Sequence, residues 1–132
     1  MFLRLTATTF SGVPTSSIRR YHRTNVTREN APAIHLIEGL AKPAEDRRCD
    51  WRWEMEGTIA VFVRDDKGYT DADPFVAEVL KRINPEGTPY PNKAMLDLLR
   101  IGLNTEIADK DATRVDIDFQ FKFGTARWSL AA

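Results

Sequence analysis

The residue types that most often carry catalysis or bind metal are few and scattered in this sequence. Two histidines, His22 and His35, and the single cysteine, Cys49, do not follow the spacing of a zinc site. No glycine-rich phosphate loop follows a predicted strand, and no serine stands in the strained turn that exposes a nucleophile. We expect His35 to be buried and hydrogen-bonded in a strand and Cys49 to be inert. The sequence therefore predicts no catalytic site, no cofactor and no bound metal.

Paired carboxylates are the remaining feature that could hold a cation. Asp116 and Asp118 alternate with apolar residues, and Asp109 and Asp111 lie in a predicted turn. Either pair offers the oxygen ligands that Mg²⁺ prefers. Two aspartates on the polar face of an amphipathic strand are also what a solvated surface requires, so we expect them to face water.

One segment near the N-terminus has the composition of a nucleic-acid contact. Residues 19–23 read Arg-Arg-Tyr-His-Arg, so an aromatic ring stands among cations. No known nucleic-acid-binding pattern accompanies it, and a salt-bridged surface facing an acidic neighbour explains the same residues. Charge is also divided along the chain, since residues 1–48 carry a net +4 and residues 49–132 a net −4. Such a chain could stack on copies of itself or on partners.

Length and composition are those of one globular domain. The chain has 132 residues, of which 42% are apolar and 29% charged, enough to bury a core and to exclude collagen-like and low-complexity classes. Basic and acidic residues balance at 19 each, which argues against strong attraction of the whole chain to nucleic acid or an anionic membrane. We also expect no transmembrane segment and no signal peptide, and therefore a soluble domain made in the cytosol.

Alternation of apolar and polar residues predicts the strands. Residues 50–63 alternate over a length far beyond the usual strand of about five or six residues, so this strand must bend or project beyond its own domain. Residues 115–123 alternate as clearly, residues 33–37 form a run typical of an interior strand, and residues 18–22 can add a short strand. Residues 40–48 are charged and contain proline, and we expect a loop that becomes ordered on assembly.

Two helices are predicted between the long strand and the last one. Residues 73–83 form an apolar stripe at helical spacing, with Asp73 as the N-cap and an Asn-Pro pair after the end. Residues 92–102 carry a shorter stripe that begins with an asparagine cap and ends at a glycine. Residues 103–108 are expected to form a short strand.

These elements predict an α+β fold in a single domain over residues 1–132. The sheet is expected to be mixed and mostly antiparallel, with four to five strands and two helices packed on one face. Residues 115–123 should face the core with residues 59–63. Trp51 and Trp53 of the long strand should also pack in the core rather than form a ligand platform. Residues 1–17 are predicted to be irregular or a short element, and residues 126–132 a C-terminal tail.

The order and pattern of these elements resemble the tail terminator (tail-completion) proteins of long-tailed phages and prophages. The likeness begins with the run APAIHLIEG at residues 31–39 and continues through a charged loop into the Trp-containing strand. The helix at residues 73–83 and the closing strand at residues 113–125 follow in the same order, so the resemblance covers roughly residues 13–125. The family usually opens with an amphipathic helix, and residues 1–17 are short and rich in Thr, Ser and Gly for that role.

The resemblance implies a structural role in a virion. Six copies would form a ring on the head-proximal end of the tail tube, stop tube polymerisation and provide the surface that joins the head or neck. The implied partners are the chain itself, the tail tube protein and a neck or head-completion protein. Genomic DNA would pass through the lumen without specific binding, and no membrane is involved. Assembly would take place in the host cytoplasm, and the mature protein would reside in the virion tail.

Charged side chains are expected to make the contacts between subunits or with partners. Arg47 and Arg48 should meet acidic residues of a neighbouring subunit, with Glu54 and Glu56 as candidates. The candidate interface residues are Arg19, Arg20, Arg23, Arg47, Arg48, Glu54, Glu56 and Trp128. Two alternatives stay open, namely a neck or head-completion protein and a small enzyme or nucleic-acid-binding module that uses residues 19–23.

Overall fold

The computed structural model describes residues 1–6, 17–20, 32–46, 50–64, 72–87, 90, 94–103 and 112–126. The elements in chain order are helix α1 (Phe2–Thr6), strands β1 (Ile18–Arg20), β2 (Ala33–Asp46) and β3 (Asp50–Arg64), helix α2 (Asp73–Ile83), and strands β4 (Met95–Leu103) and β5 (Ala112–Ala126). These strands form one sheet in the order β1-β2-β3-β5-β4. Only β1 and β2 are parallel, and the other pairs are antiparallel. The predicted α+β fold, with a mixed and mostly antiparallel sheet, is confirmed.

Strands β3 and β5 form the centre of the sheet. Their register runs unbroken over 15 residues, from Asp50 opposite Ala126 to Arg64 opposite Ala112. Alternation divides the sheet into two faces. The helix face carries Ile59 and packs against both helices, whereas the outer face carries Ala60 and lies opposite them.

The core lies between the helix face and the helices. In β5 the predicted inward residues are buried, and Phe123 packs partly buried at the edge of the same cluster. From α2, Val79 and Ile83 are buried within it. The buried strand residues of this cluster are Ile18, Ile34, Leu36, Ile59, Val61, Val63, Val115, Ile117, Phe119 and Phe121. The predicted facing of residues 59–63 and 115–123 toward one core is therefore confirmed.

Strand β2 is longer than predicted. Its first half is covered on both faces, as expected, because Ile34 lies in the core and His35 is buried on the outer face. The loop predicted at residues 40–48 is wrong for residues 40–46, which continue β2 beside β3 through two register shifts. The reason is that β3 offers a continuous row of backbone donors and acceptors, so pairing needs no apolar side chains on β2. Residues 47–49 lie outside the described part of the chain.

Helix α2 is confirmed over Asp73–Ile83, but the predicted cap is wrong. Asp73 is the first helical residue, and the preceding Ala72 makes no side-chain hydrogen bond to the helix start. The carboxylate of Asp73 still lies in the first turn, where its negative charge interacts favourably with the positive end of the helix dipole. After the helix, the Asn84 side-chain oxygen accepts a hydrogen bond from the Glu86 amide at 2.9 Å.

The second helix predicted at residues 92–102 is wrong. Residues Met95–Leu103 form β4, an antiparallel edge strand beside β5. A register shift between Leu98 and Arg100 breaks the alternation, so that the apolar residues mimic helical spacing in the sequence. Pairing with β5 outweighs local helix propensity here. Of the strand predicted at residues 103–108, Leu103 ends β4 and the rest lies outside the described residues.

The second helix of the fold is α1, at the start of the chain. Five residues are too few for a stable isolated helix, so tertiary contacts must hold α1 in place. Arg82 of α2 donates a hydrogen bond to the Leu5 carbonyl at 2.7 Å, and the Leu5 side chain is fully buried. Arg4 lies over the ring of Tyr90 at 3.6 Å, and the Tyr90 hydroxyl donates to the Ile83 carbonyl at 3.0 Å. Within residues 1–17, residues 7–16 lie outside the described chain.

Candidate assembly surfaces

The central strands run past the helical layer. At about 3.3 Å per residue the 15 residues of β3 extend roughly 50 Å, whereas α2 at about 1.5 Å per residue covers roughly 16 Å. Residues 59–63 of β3 are buried, and residues 51–58 are half-buried or exposed. We call residues 40–46, 50–56 and 120–126 the distal arm. The inner end of this arm still packs on the core through Met55 and Phe121, and farther out Trp51, Trp53 and Glu54 are half-buried.

The helix face of the distal arm carries two tryptophans. Trp51 and Trp53 meet edge to face with ring centroids 5.6 Å apart, and Trp53 Nε1 donates to Thr125 Oγ1 at 2.8 Å. Both indoles are half-buried and neither belongs to the core, although Met55 packs against it. The prediction that Trp51 and Trp53 pack in the core is therefore wrong, because the strand carries them beyond the helices.

The outer face of the distal arm is charged. Glu54 lies between Lys42 of β2 and Lys122 of β5 in the register, and Glu56 is exposed opposite Gln120. Next along this face the Arg52 guanidinium lies against Gly124. The Arg52 Nε is buried and has no hydrogen-bond partner among the described residues. Such an unsatisfied buried donor costs free energy.

Strand β1 forms one edge of the sheet, opposite the edge formed by β4, and it carries the basic residues Arg19 and Arg20. Arg20 makes a two-pronged ion pair with Glu38, with Nε to Oε1 at 2.5 Å and Nη2 to Oε2 at 3.1 Å. Arg19, which precedes Arg20 in the strand, is exposed. Because Glu38 neutralises Arg20, this part of the basic segment is a weaker site for phosphate than the sequence suggested.

A buried charged cluster lies on the outer face, where the sequence predicted solvated aspartates. Asp116 is only 7% exposed and its Oδ1 contacts Arg114 Nε at 2.6 Å. The Arg114 guanidinium lies 5.6 Å from the Phe62 ring, which in turn contacts His35 at 4.9 Å between ring centroids. The prediction that Asp116 faces water is wrong, although the spacing of Arg114 and Asp116 by two residues already placed them on one face.

Asp118 is more exposed than Asp116 and so agrees better with the predicted contact with water. It is half-buried, and its Oδ1 accepts a hydrogen bond from Thr58 Oγ1 at 2.7 Å. The Arg100 guanidinium of β4 lies 3.7 Å from the other carboxylate oxygen. Both acidic residues of β5 therefore have basic neighbours within the chain, which leaves them poorly suited to hold Mg²⁺.

The edge strand β4 exposes apolar side chains that sequence reasoning had placed on a helix. Met95, Leu98, Leu99 and Leu103 are between 43% and 59% exposed. Beside them an open groove of about 460 Å³ lies between the end of α2 and β4. Its lining includes Leu80, Ile83, Leu96, Leu98 and Phe119. Exposed apolar side chains along an edge strand are typical of a contact site.

Half of the predicted interface residues can be placed. Arg19 and Arg20 lie at the β1 edge, and Glu54 and Glu56 lie on the distal arm, so the structure does not bring these pairs together. The other four, Arg23, Arg47, Arg48 and Trp128, lie outside the described residues. In the described ranges, no three His, Cys, Asp or Glu side chains are grouped as a metal site would need. No helix in those ranges is long and apolar enough to span a membrane.

Neither known family models nor curated proteins show a match to this chain.

Proposed function

We propose that this protein is a structural component of a phage tail, which forms a ring at the head-proximal end of the tail tube and ends tube polymerisation. The observation that carries the proposal is the distal arm, since a domain of this size needs no strands of 14 and 15 residues to enclose its own core. The resemblance of the element order to tail terminator proteins supplies the biological setting.

The distal arm suits contacts of the kind that a closed ring requires. A cyclic ring joins unlike surfaces of successive subunits, so each subunit must present two different faces. One face of the arm is aromatic at Trp51 and Trp53, and the other is charged around Glu54 and Glu56.

The proposed partners contact the parts of the ring that lie outside the contacts between subunits. Residues of the ring that do not contact neighbouring subunits face the tail tube on one side and the neck or head-completion protein on the other. Genomic DNA passes through the lumen without base-specific contacts, and the protein needs no cofactor and performs no catalysis. Its place is the virion tail, after assembly in the host cytoplasm.

Electron microscopy of particles assembled without this protein tests the function. Tail tubes of abnormal length are the expected result, because tube polymerisation would no longer be ended. Tails of normal length joined to filled heads would contradict the proposal. A head-completion role would instead leave tube length normal and heads unjoined.

Charge reversal on the distal arm tests the surface. Glu56→Arg should prevent ring formation by the purified protein while leaving its melting temperature near that of the wild type, because an exposed rim charge affects association more than folding. Glu86→Arg, which reverses an exposed glutamate after α2, is the matched control and should form rings normally. Rings that form equally well with either substitution would exclude this part of the arm from the contact.

The nucleic-acid alternative is disfavoured by the ion pair between Arg20 and Glu38. It predicts a monomer with salt-sensitive DNA binding, which the same purified protein can be tested for.

A further inference from the structure

The edge of the sheet formed by β4 has the properties of a surface that pairs with another strand. β4 pairs with β5 on one side, and no described strand pairs with its other side. Alternate residues of an edge strand direct their backbone N–H and C=O groups away from the sheet, ready to bond to a further strand. Nine residues of β4 are available for this, with exposed apolar side chains along them.

The sequence of β4 is nearly self-complementary when it is read from both ends. About the point between Leu98 and Leu99, Asp97 is matched with Arg100, and Leu96 is matched with Ile101. A second copy of the same strand in antiparallel orientation would therefore place an opposite charge against each charge. Opposite charges at directly opposed positions of an antiparallel pair favour pairing, and like charges oppose it.

The bulge in β4 makes this match geometrically possible. In a regular strand Asp97 and Arg100, three residues apart, would lie on opposite faces of the sheet. The register shift between Leu98 and Arg100 places Asp97 opposite Gln120 and Arg100 opposite Asp118, two residues that share the outer face. Leu96 and Ile101 lie opposite Phe121 and Ile117 on the helix face by the same shift. Both matched pairs thus lie on matching faces.

We propose that two copies of this chain associate through antiparallel pairing of their β4 strands, about a twofold axis between Leu98 and Leu99. In this arrangement Asp97 of each copy opposes Arg100 of the other on the outer face. Leu96 of each copy opposes Ile101 of the other on the helix face, next to the apolar groove at the end of α2. The sheet continues from one copy into the next.

The surroundings of Arg100 within one chain leave it able to contact Asp97 of a second copy. Its side chain is 66% exposed and lies 3.7 Å from Asp118, a loose contact that leaves its remaining donors available. In the pair Arg100 would lie between Asp118 of its own chain and Asp97 of the second copy. The three side chains would form an alternating row of charge along the outer face.

This contact is of a different kind from the ring contact. A twofold contact uses the same surface on both copies and joins them in pairs, whereas a ring needs two unlike surfaces. The pairing therefore stands without the proposed function. If rings also form through the distal arm, the β4 contact would join two rings face to face.

Charge reversal at the two central positions tests the pairing, with sedimentation equilibrium as the readout. Asp97→Arg alone and Arg100→Asp alone should each weaken association of the wild-type dimer at least about tenfold, because each creates two like-charge contacts per pair. An equimolar mixture of the two variants should recover association, because both opposed positions then carry opposite charges. The double variant Asp97→Arg/Arg100→Asp should recover it with itself. Asp73→Arg, at the exposed start of α2 and away from the helix end that lines the groove beside β4, is the matched control and should leave association unchanged.

Recovery in the mixture and in the double variant is the signature of a twofold β4 contact. A wild-type chain that stays monomeric throughout the concentration range, or a double variant no better than the single ones, would overturn the proposal. Single rings that are insensitive to all these variants would also overturn it while leaving the proposed function intact. The melting temperature of each variant at low concentration separates loss of pairing from loss of folding.

Discussion

Gly57 lies in the middle of β3 at a position where a side chain has no room. A Cβ atom built on Gly57 would lie 2.5 Å from the ring tip of Phe119 and 2.9 Å from the Ile37 carbonyl oxygen. Both distances are below ordinary contact, and one neighbour is backbone while the other is a ring that is 99% buried in the core. Gly57→Ala must therefore displace either β2 or the Phe119 ring.

The expected cost follows from two opposing effects. Overpacking of a filled core costs about 1–3 kcal/mol. The lower chain entropy of unfolded alanine returns about 0.4–1 kcal/mol. We therefore expect Gly57→Ala to reduce the free energy of unfolding by about 1–2 kcal/mol, which in a domain of this size lowers the melting temperature by roughly 5 °C.

Urea denaturation followed by circular dichroism measures this cost. Gly102→Ala in β4 is the control, because its Cβ would meet nothing nearer than the Arg100 side chain at 3.7 Å, and it should change stability by less than about 0.5 kcal/mol. In the double variant Gly57→Ala/Phe119→Leu the ring tip is gone, so the two losses should be less than additive by about 1 kcal/mol. A Gly57→Ala protein as stable as the wild type, or strictly additive losses, would refute the reasoning.

Three further substitutions test other contacts. Asp116→Ala should cost about 3 kcal/mol in denaturant unfolding, because it leaves the buried Arg114 guanidinium unpaired; a loss below about 1 kcal/mol, as for an exposed pair, would contradict this. Leu5→Ala should cost about 2–5 kcal/mol, since the side chain is fully buried, and an unchanged melting temperature would show that α1 is not docked. Burial raises the pKa of Tyr90 above its ordinary 10.0, against the opposing effect of Arg4. The folded state thus retains the phenol proton, so this stabilisation is complete below pH 10 and is lost as pH rises through the raised pKa. Tyr90→Phe should cost about 1 kcal/mol at neutral pH and flatten the alkaline fall in melting temperature; an equally steep fall in the variant would argue against the shift.

Local pattern was sufficient wherever an element is amphipathic and its apolar side faces the core. β3, β5 and α2 are of this kind, and for them the period of the apolar residues states both the type of element and the buried face. The same holds for the first half of β2, whose continuous apolar run predicted burial on both faces. These elements are sufficient to predict the α+β class. They also predict that β3 is longer than its own core requires.

Elements that depend on distant partners were not predictable from their own residues. β4 has a pattern compatible with a helix, and only the unpaired edge of β5 makes it a strand. Residues 40–46 contain three charged residues and a proline, and they become a strand because β3 lies beside them. The position of Asp116 on the outer face was readable from the alternation, but its burial depends on side chains that other strands bring to the same place. Periodicity is a property of neighbours along the chain, whereas backbone pairing and burial are properties of neighbours in space. For that reason the sequence alone indicated which faces this protein has, and only the tertiary structure decided what lies against them.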